Sequence, residues 1–114
     1  AGTFGLSASL ITEHGTAMRL GSVVTALELP ADKRPYGDDP FAWCTRCGAC
    51  IRRCPAHAVG AKFSDRDKPA CAKYAVTEIS REREHTYGWL ERALGCALCQ
   101  TAVPCEFRRP GKGA

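Results

Sequence analysis

Cys44-Thr45-Arg46-Cys47-Gly48-Ala49-Cys50-Ile51-Arg52-Arg53-Cys54-Pro55 is the stretch on which the reading of this chain turns. Its form is C-x-x-C-x-x-C-x-x-x-C-P. Three Cys at two-residue gaps wrap the backbone around one cubane iron–sulfur cluster, so that backbone amides point at the sulfides, while the fourth thiolate reaches a second cube. Gly48 has no Cβ and lets the chain approach closely. Pro55 turns the chain away after the fourth ligand, and a short helix is expected to start over Ala56–Val59.

Such a run, the spacing of bacterial ferredoxins, gives its own cube only three ligands, so a partner set must follow. The remaining thiols are Cys71, Cys96, Cys99 and Cys105, and their number fits. The simplest assignment puts one 4Fe–4S cluster on Cys44, Cys47, Cys50 and Cys105, and a second on Cys54, Cys71, Cys96 and Cys99. Crossed ligation of this kind ties the two halves of the domain together. Two zinc sites could also use eight Cys, but zinc sites pair C-x-x-C units and seldom carry the triple run followed by C-P. A disulfide framework would need an oxidising compartment and explains neither the spacing nor Pro55. Cys71 stands alone on an expected helix, where a buried structural Cys is common. It is read as a ligand because the second cluster otherwise has three thiolates.

Working outward, the chain has 114 residues, which suits one domain. Its 8 Cys are about 7% of residues, just under the ~8–10% of small disulfide scaffolds. Only 4 Phe, 3 Tyr and 2 Trp serve as large core anchors. The core is therefore marginal, and something besides apolar burial is expected to hold the domain. The composition excludes a collagenous chain, a membrane span and a wholly disordered chain. Position 1 is Ala, which suggests a processed chain or a piece of a longer one. The first thirty residues do not read as an export signal. A cytoplasmic location is the expectation, although a missing N-terminus could hide a signal.

The formal charge of +4 is mild, with basic residues at Arg46, Arg52 and Arg53 and again at Arg108, Arg109 and Lys112. They read either as solvated loop charge or as a docking surface for an acidic partner. Eight thiolates and two oxidised cubes would bring the net charge to about zero, which makes charge offset their first role. Nucleic-acid binding is disfavoured, because no aromatic stacking platform or basic helix stripe accompanies them.

Four segments are expected: a β-rich lead-in at 1–30, a turn-rich connector at 31–42, the two-cluster domain at 43–109 and a flexible tail at 110–114. In the lead-in, Met18–Leu29 mixes β-branched and small residues and reads as a strand, reached by a hairpin from Ser9-Leu10-Ile11 through a turn at Gly15. Asp67 and Pro69 mark the start of a helix over Ala70–Ile79 that carries Cys71. Tyr87–Leu94 reads as a second short helix stopped by Gly95. Trp43 is expected to shield the first cube and Trp89 to sit in the core, while His57 reads as solvent-facing. The fold class is α+β, a ferredoxin-like two-cluster domain with an N-terminal β-hairpin extension and short helices.

At this point the residues resemble a family. The lead-in from Ala1 to Pro30, followed by CTRCGACIRRCPAHAV, is similar to the carboxy-terminal part of epoxyqueuosine reductases and the related reductive dehalogenases. A lone Cys (Cys71) and a late G-C-x-x-C group (Gly95-Cys96-Ala97-Leu98-Cys99) follow in the same order. Two departures mark a divergent branch. The final group usually closes as C-x-x-C-x-x-x-C-P, whereas here five residues separate Cys99 from Cys105 and Pro104 precedes the last Cys. The cobalamin- and substrate-binding part, which lies mainly upstream in those enzymes, is not in this sequence.

The resemblance implies a module that relays electrons one at a time to a cobalamin held by another segment, with Phe4–Arg19 nearest that cofactor. Cobalamin enters only together with that upstream domain, and the expected partner is that domain or another redox protein. No catalytic residue is assigned within the chain, and whether it is part of an enzyme stays open. Two other readings stand beside it: a free-standing small ferredoxin acting as a soluble carrier, and a module whose iron–sulfur or zinc sites are structural only.

Overall fold

The computed structural model describes residues 2–87 and 95–111. Thr3–Phe4 (β1) pairs antiparallel with Leu10–Ile11 (β2), in the register Thr3 to Ile11 and Phe4 to Leu10. The loop between them closes on itself: the Gly5 amide donates to the Ser9 carbonyl at 2.9 Å, and the Ser7 and Ser9 hydroxyls lie 2.6 Å apart. A Cβ at Gly2 would stand 2.6 Å from the Ile11 carbonyl oxygen, so the close approach of these strands requires glycine there. The hairpin turns Leu6 and Ile11 inward, and both are buried.

This is not the expected hairpin. The turn at Gly15 forms, bridging Thr12 to Gly15, but β2 pairs back onto Thr3–Phe4 instead of forward onto Met18–Leu29. The chain after the turn docks on the far end of the sequence. The Thr16 amide donates to the carbonyls of Cys105 and Glu106 at 2.8 and 2.9 Å, and Ala17 donates to Glu106 at 2.9 Å. Met18–Leu29 then runs irregular and exposed, with a bend at Ala26–Leu27, and among the described residues no backbone-to-backbone hydrogen bond joins residues 19–33 to anything. Val23 and Val24 are both almost wholly exposed, and as a strand they would face opposite ways. A strand apolar on both faces needs cover on both sides, and the two-residue strands of this domain offer none. The radius of gyration, 16.2 Å, exceeds the ~13 Å of a compact chain of this length.

Within the Cys run, Gly48 takes a left-handed conformation (φ 71°) and starts a one-turn helix, Ala49–Arg53 (α1), with Arg52 and Arg53 complementing its C-terminal end. No helix forms over Ala56–Val59. Pro55 and Ala56 turn instead, His57 sits exposed at φ 50°, and Ala58 and Val59 drop into the core. The Asp67 carboxylate accepts from the Ala70 amide at 2.9 Å and caps Lys68–Lys73 (α2), with Pro69 in its first turn. The helical rod is longer than the sequence suggests. It continues through a π-turn at Tyr74–Glu78 into Ile79–Tyr87 (α3). The helix read over Tyr87–Leu94 falls outside the described residues, apart from the end of α3 at Tyr87, and so does Trp89. A 3-10 turn, Leu98–Gln100, packs on α1.

The core is small, as the composition implies. Leu6, Cys54, Ala58 and Val59 form its buried centre, with Cys44, Cys50, Cys71 and Cys99 packed around it beside Ile51, Phe63 and Ala70. Cysteine, not leucine, makes up much of the interior. Among the described residues no helix is long and apolar enough to cross a membrane.

Candidate metal centre

The eight thiols divide between two cavities. Cys44, Cys47, Cys50 and Cys105 line the first, together with Gly5, Leu6, Ile11 and Val103. Cys54, Cys71, Cys96 and Cys99 line the second, with Pro55, Ala56, Arg66 and Tyr74. Solvent mouths included, they enclose about 370 and 270 Å³. The side chains ring a space and do not converge on a point: among the described residues no three Cys, His, Asp or Glu are placed to share one ion. Thiolates around a single tetrahedral zinc, at Zn–S of about 2.3 Å, would lie about 3.8 Å apart. The donor set therefore suits a polynuclear sulfide cluster better than a lone ion.

Local structure explains the placement. α1 carries Cys50 near its start and ends at Cys54, its C-cap, so one helical turn links the two cavities. α2 presents Cys71, and the 3-10 turn presents Cys99. Arg53 Nε donates to the Thr101 carbonyl at 3.0 Å, fixing the late Cys group against α1. The loop from Cys99 to Cys105 is closed by Glu106, whose carboxylate accepts from the Ala102 amide at 2.7 Å while Ala102 holds φ 53°. The longer spacing before Cys105 thus still delivers that thiol to the first cavity.

Electrostatics within each ring show what the thiols lack. Burial pushes the Cys50 thiol up, and the neighbouring Cys44 and Cys47 charges push it further. Burial raises Cys105 to about 11, with Cys47, Cys50 and Cys44 adding to the effect. Burial also raises Cys99, opposed by Arg66. Four thiolates cannot share such a space unless a cationic group neutralises them.

Arg66 is the residue that sequence reading missed. Flanked by Asp65 and Asp67, it looks like solvated loop charge. The fold turns it inward: Asp65 accepts from the Lys62 amide at 3.1 Å, and the Asp67 amide donates to the Ala58 carbonyl at 3.1 Å. The Arg66 Nη2 then donates to Cys71 Sγ at 3.1 Å, while among the described residues its Nη1 is buried without a hydrogen-bond partner. A buried, unpartnered guanidinium nitrogen on the wall of a thiol-lined cavity fits a site for a sulfide-bearing anion.

Trp43 does not shield the first cavity as expected. Its ring packs edge-on to Tyr36, 5.2 Å between centroids, under the Arg109 guanidinium. Leu6, Ile11 and Val103 supply the apolar wall instead. His57 is exposed, as read.

A small α+β domain whose thiols line two cavities, four and four, has the architecture of a cluster carrier. The chain belongs to the 4Fe-4S double cluster binding domain family, whose model matches residues 43–106. It is also related to epoxyqueuosine reductases. It is 33% identical to that of Gloeobacter violaceus over 94% of this chain and 33% of the relative. Those of Synechococcus strains RCC307 and CC9605 are 29% and 30% identical, over 90% and 94% of this chain and 30% and 33% of theirs. The chain thus spans about a third of the length of these curated relatives. No solved structure matches it.

Proposed function

We propose that the chain holds two 4Fe–4S clusters, one on Cys44, Cys47, Cys50 and Cys105 and one on Cys54, Cys71, Cys96 and Cys99, and relays electrons singly to the catalytic part of a cobalamin-dependent, reductase-like protein. The observation that carries this reading is the division of the thiols between two cavities. When bound, the clusters supply reversible one-electron storage. The chain's own residues hold the thiolates, exclude water and offset charge. Leu6, Ile11 and Val103 keep the first site dry, and Pro55 and Ala56 do so at the second. Cys50 and Cys54 lie four positions apart along α1, about 6 Å of helix rise, which brings the two sites close enough for rapid exchange.

With every thiol committed as a ligand, bond chemistry falls to another segment. Two features support a catalytic partner. The relatives are about three times as long, and Met18–Leu29 is an exposed apolar segment that pairs with no strand among the described residues. In this reading that segment docks on the catalytic part. Phe4–Arg19, which supplies Gly5, Leu6, Ser7 and Ile11 to the first cavity wall, faces the cobalamin.

Iron and sulfide analysis of anaerobically purified chain, followed by dithionite reduction and electron paramagnetic resonance, tests the proposal. About eight irons and eight sulfides per chain, with two reducible centres, are expected. A zinc-loaded, iron-free chain overturns it, and so do clusters that accept no electron.

A further inference from the structure

The two cavities differ in one respect that the cysteine pattern does not encode. Arg66 Nη2 reaches Cys71 Sγ at 3.1 Å, and the same guanidinium interacts with Cys99, so one side chain bridges thiols carried by α2 and by the 3-10 turn. Among the described residues its second terminal nitrogen is buried without a hydrogen-bond partner within bonding geometry. Among the described residues no arginine donates to a thiol of the first cavity: Arg46 also lines that cavity, but its guanidinium lies over the Phe63 ring at 5.1 Å, and Arg52 donates to the Cys47 carbonyl.

We propose that Arg66 sets the reduction potential of the second cluster, donating through Nη2 to a ligand sulfur and through Nη1 to the cluster itself, and so makes the two clusters unequal. The inference rests on the two-cluster reading above. Its direction follows from charge. Adding an electron makes a thiolate-ligated cluster more negative, so a fixed cation and N–H donors at sulfur stabilise the reduced form more than the oxidised one. An arginine suits this place better than a lysine, because its rigid fork spans two acceptors at once. The second cluster is thereby easier to reduce than the same ligands would make it alone.

Redox titration of the full chain by electron paramagnetic resonance, comparing wild type with Arg66→Met and Arg66→Lys, provides the test, with iron content measured on each. In Arg66→Met one centre should lose electron affinity tenfold or more, about 59 mV for a one-electron couple, while the other stays put. Arg66→Lys should fall between. Two centres with wild-type potentials and full iron content in Arg66→Met overturn the proposal. If Arg66→Met loses iron, isotopically labelled arginine in the reduced wild-type chain decides. A nitrogen hyperfine coupling to one centre, absent from Arg66→Lys, upholds the contact, and no such coupling overturns it. A chain with no reducible centre sinks the relay reading and this proposal together, whereas two centres indifferent to Arg66 sink this one alone.

Discussion

Thr3 and Trp43 are joined across the chain: the buried Trp43 amide donates to the Thr3 hydroxyl at 3.1 Å, forty positions away in sequence. Thr3 is completely buried, and Trp43 nearly so. This bond pins the N-terminal hairpin to the residue that immediately precedes Cys44. Thr3→Val keeps the shape and deletes the acceptor, leaving a buried N–H unpaired at a cost of about 1–3 kcal/mol. Thermal unfolding of the cluster-loaded chain should show a melting point lower by several degrees, with iron content unchanged at low temperature. An unaltered melting point would mean that water replaces the hydroxyl.

The ligand sets make a paired prediction. Cys71→Ala should remove the second cluster and spare the first, and Cys105→Ala should do the reverse. Each variant then keeps about four of about eight irons, with a different surviving paramagnetic signal. Identical surviving signals, or full iron in Cys71→Ala, would break the assignment.

The thiol pattern was legible because ligand spacing is a local property of sequence. Cys44, Cys47, Cys50 and Cys54 announce their chemistry whatever the rest of the chain does, and Asp67 with Pro69 announces the start of α2. Three features were not legible. Arg66 between two aspartates carries no sign that the loop folds inward, since that depends on the long-range bond from Asp67 to Ala58. The π-turn at Tyr74–Glu78 has no compositional mark, so the rod reads as a shorter helix. Met18–Leu29 reads as a strand but forms none, because strand propensity is realised only where tertiary packing supplies a neighbour.

Gly15 couples the lead-in to the last ligand. It sits at φ 87°, and an added Cβ would collide with the Glu106 carbonyl and stand 2.6 Å from the Arg108 amide nitrogen. Gly15→Ala combines left-handed strain of about 1–2 kcal/mol with a clash against the segment just after Cys105. The first cluster should therefore become the labile one. Iron release to a chelator, followed with the two paramagnetic signals resolved, should show the first signal decaying several-fold faster than in wild type. Equal acceleration at both sites would indicate general destabilisation instead.

The exposed arm gives the last prediction. Leu20, Val23, Val24, Leu27 and Leu29 present apolar surface to water, at 67–101% relative exposure, on a backbone that makes no backbone-to-backbone hydrogen bond among the described residues. An unpaired, β-branched segment of this kind is a template for strand addition. In the isolated chain the available template is a second copy, so sedimentation should show association that strengthens with concentration. Val24→Asp should weaken it markedly. Because Val24 touches nothing within its own domain, the same substitution should change the stability of the domain by no more than about 0.5 kcal/mol and leave iron content intact. A chain that stays monomeric at every concentration would show that the arm is satisfied by its own domain, and the role given to it as the docking strand for a catalytic partner would fall. Association that Val24→Asp leaves untouched would place the sticky surface elsewhere, with Phe107, 74% exposed beside the Cys105 loop, the next residue to change.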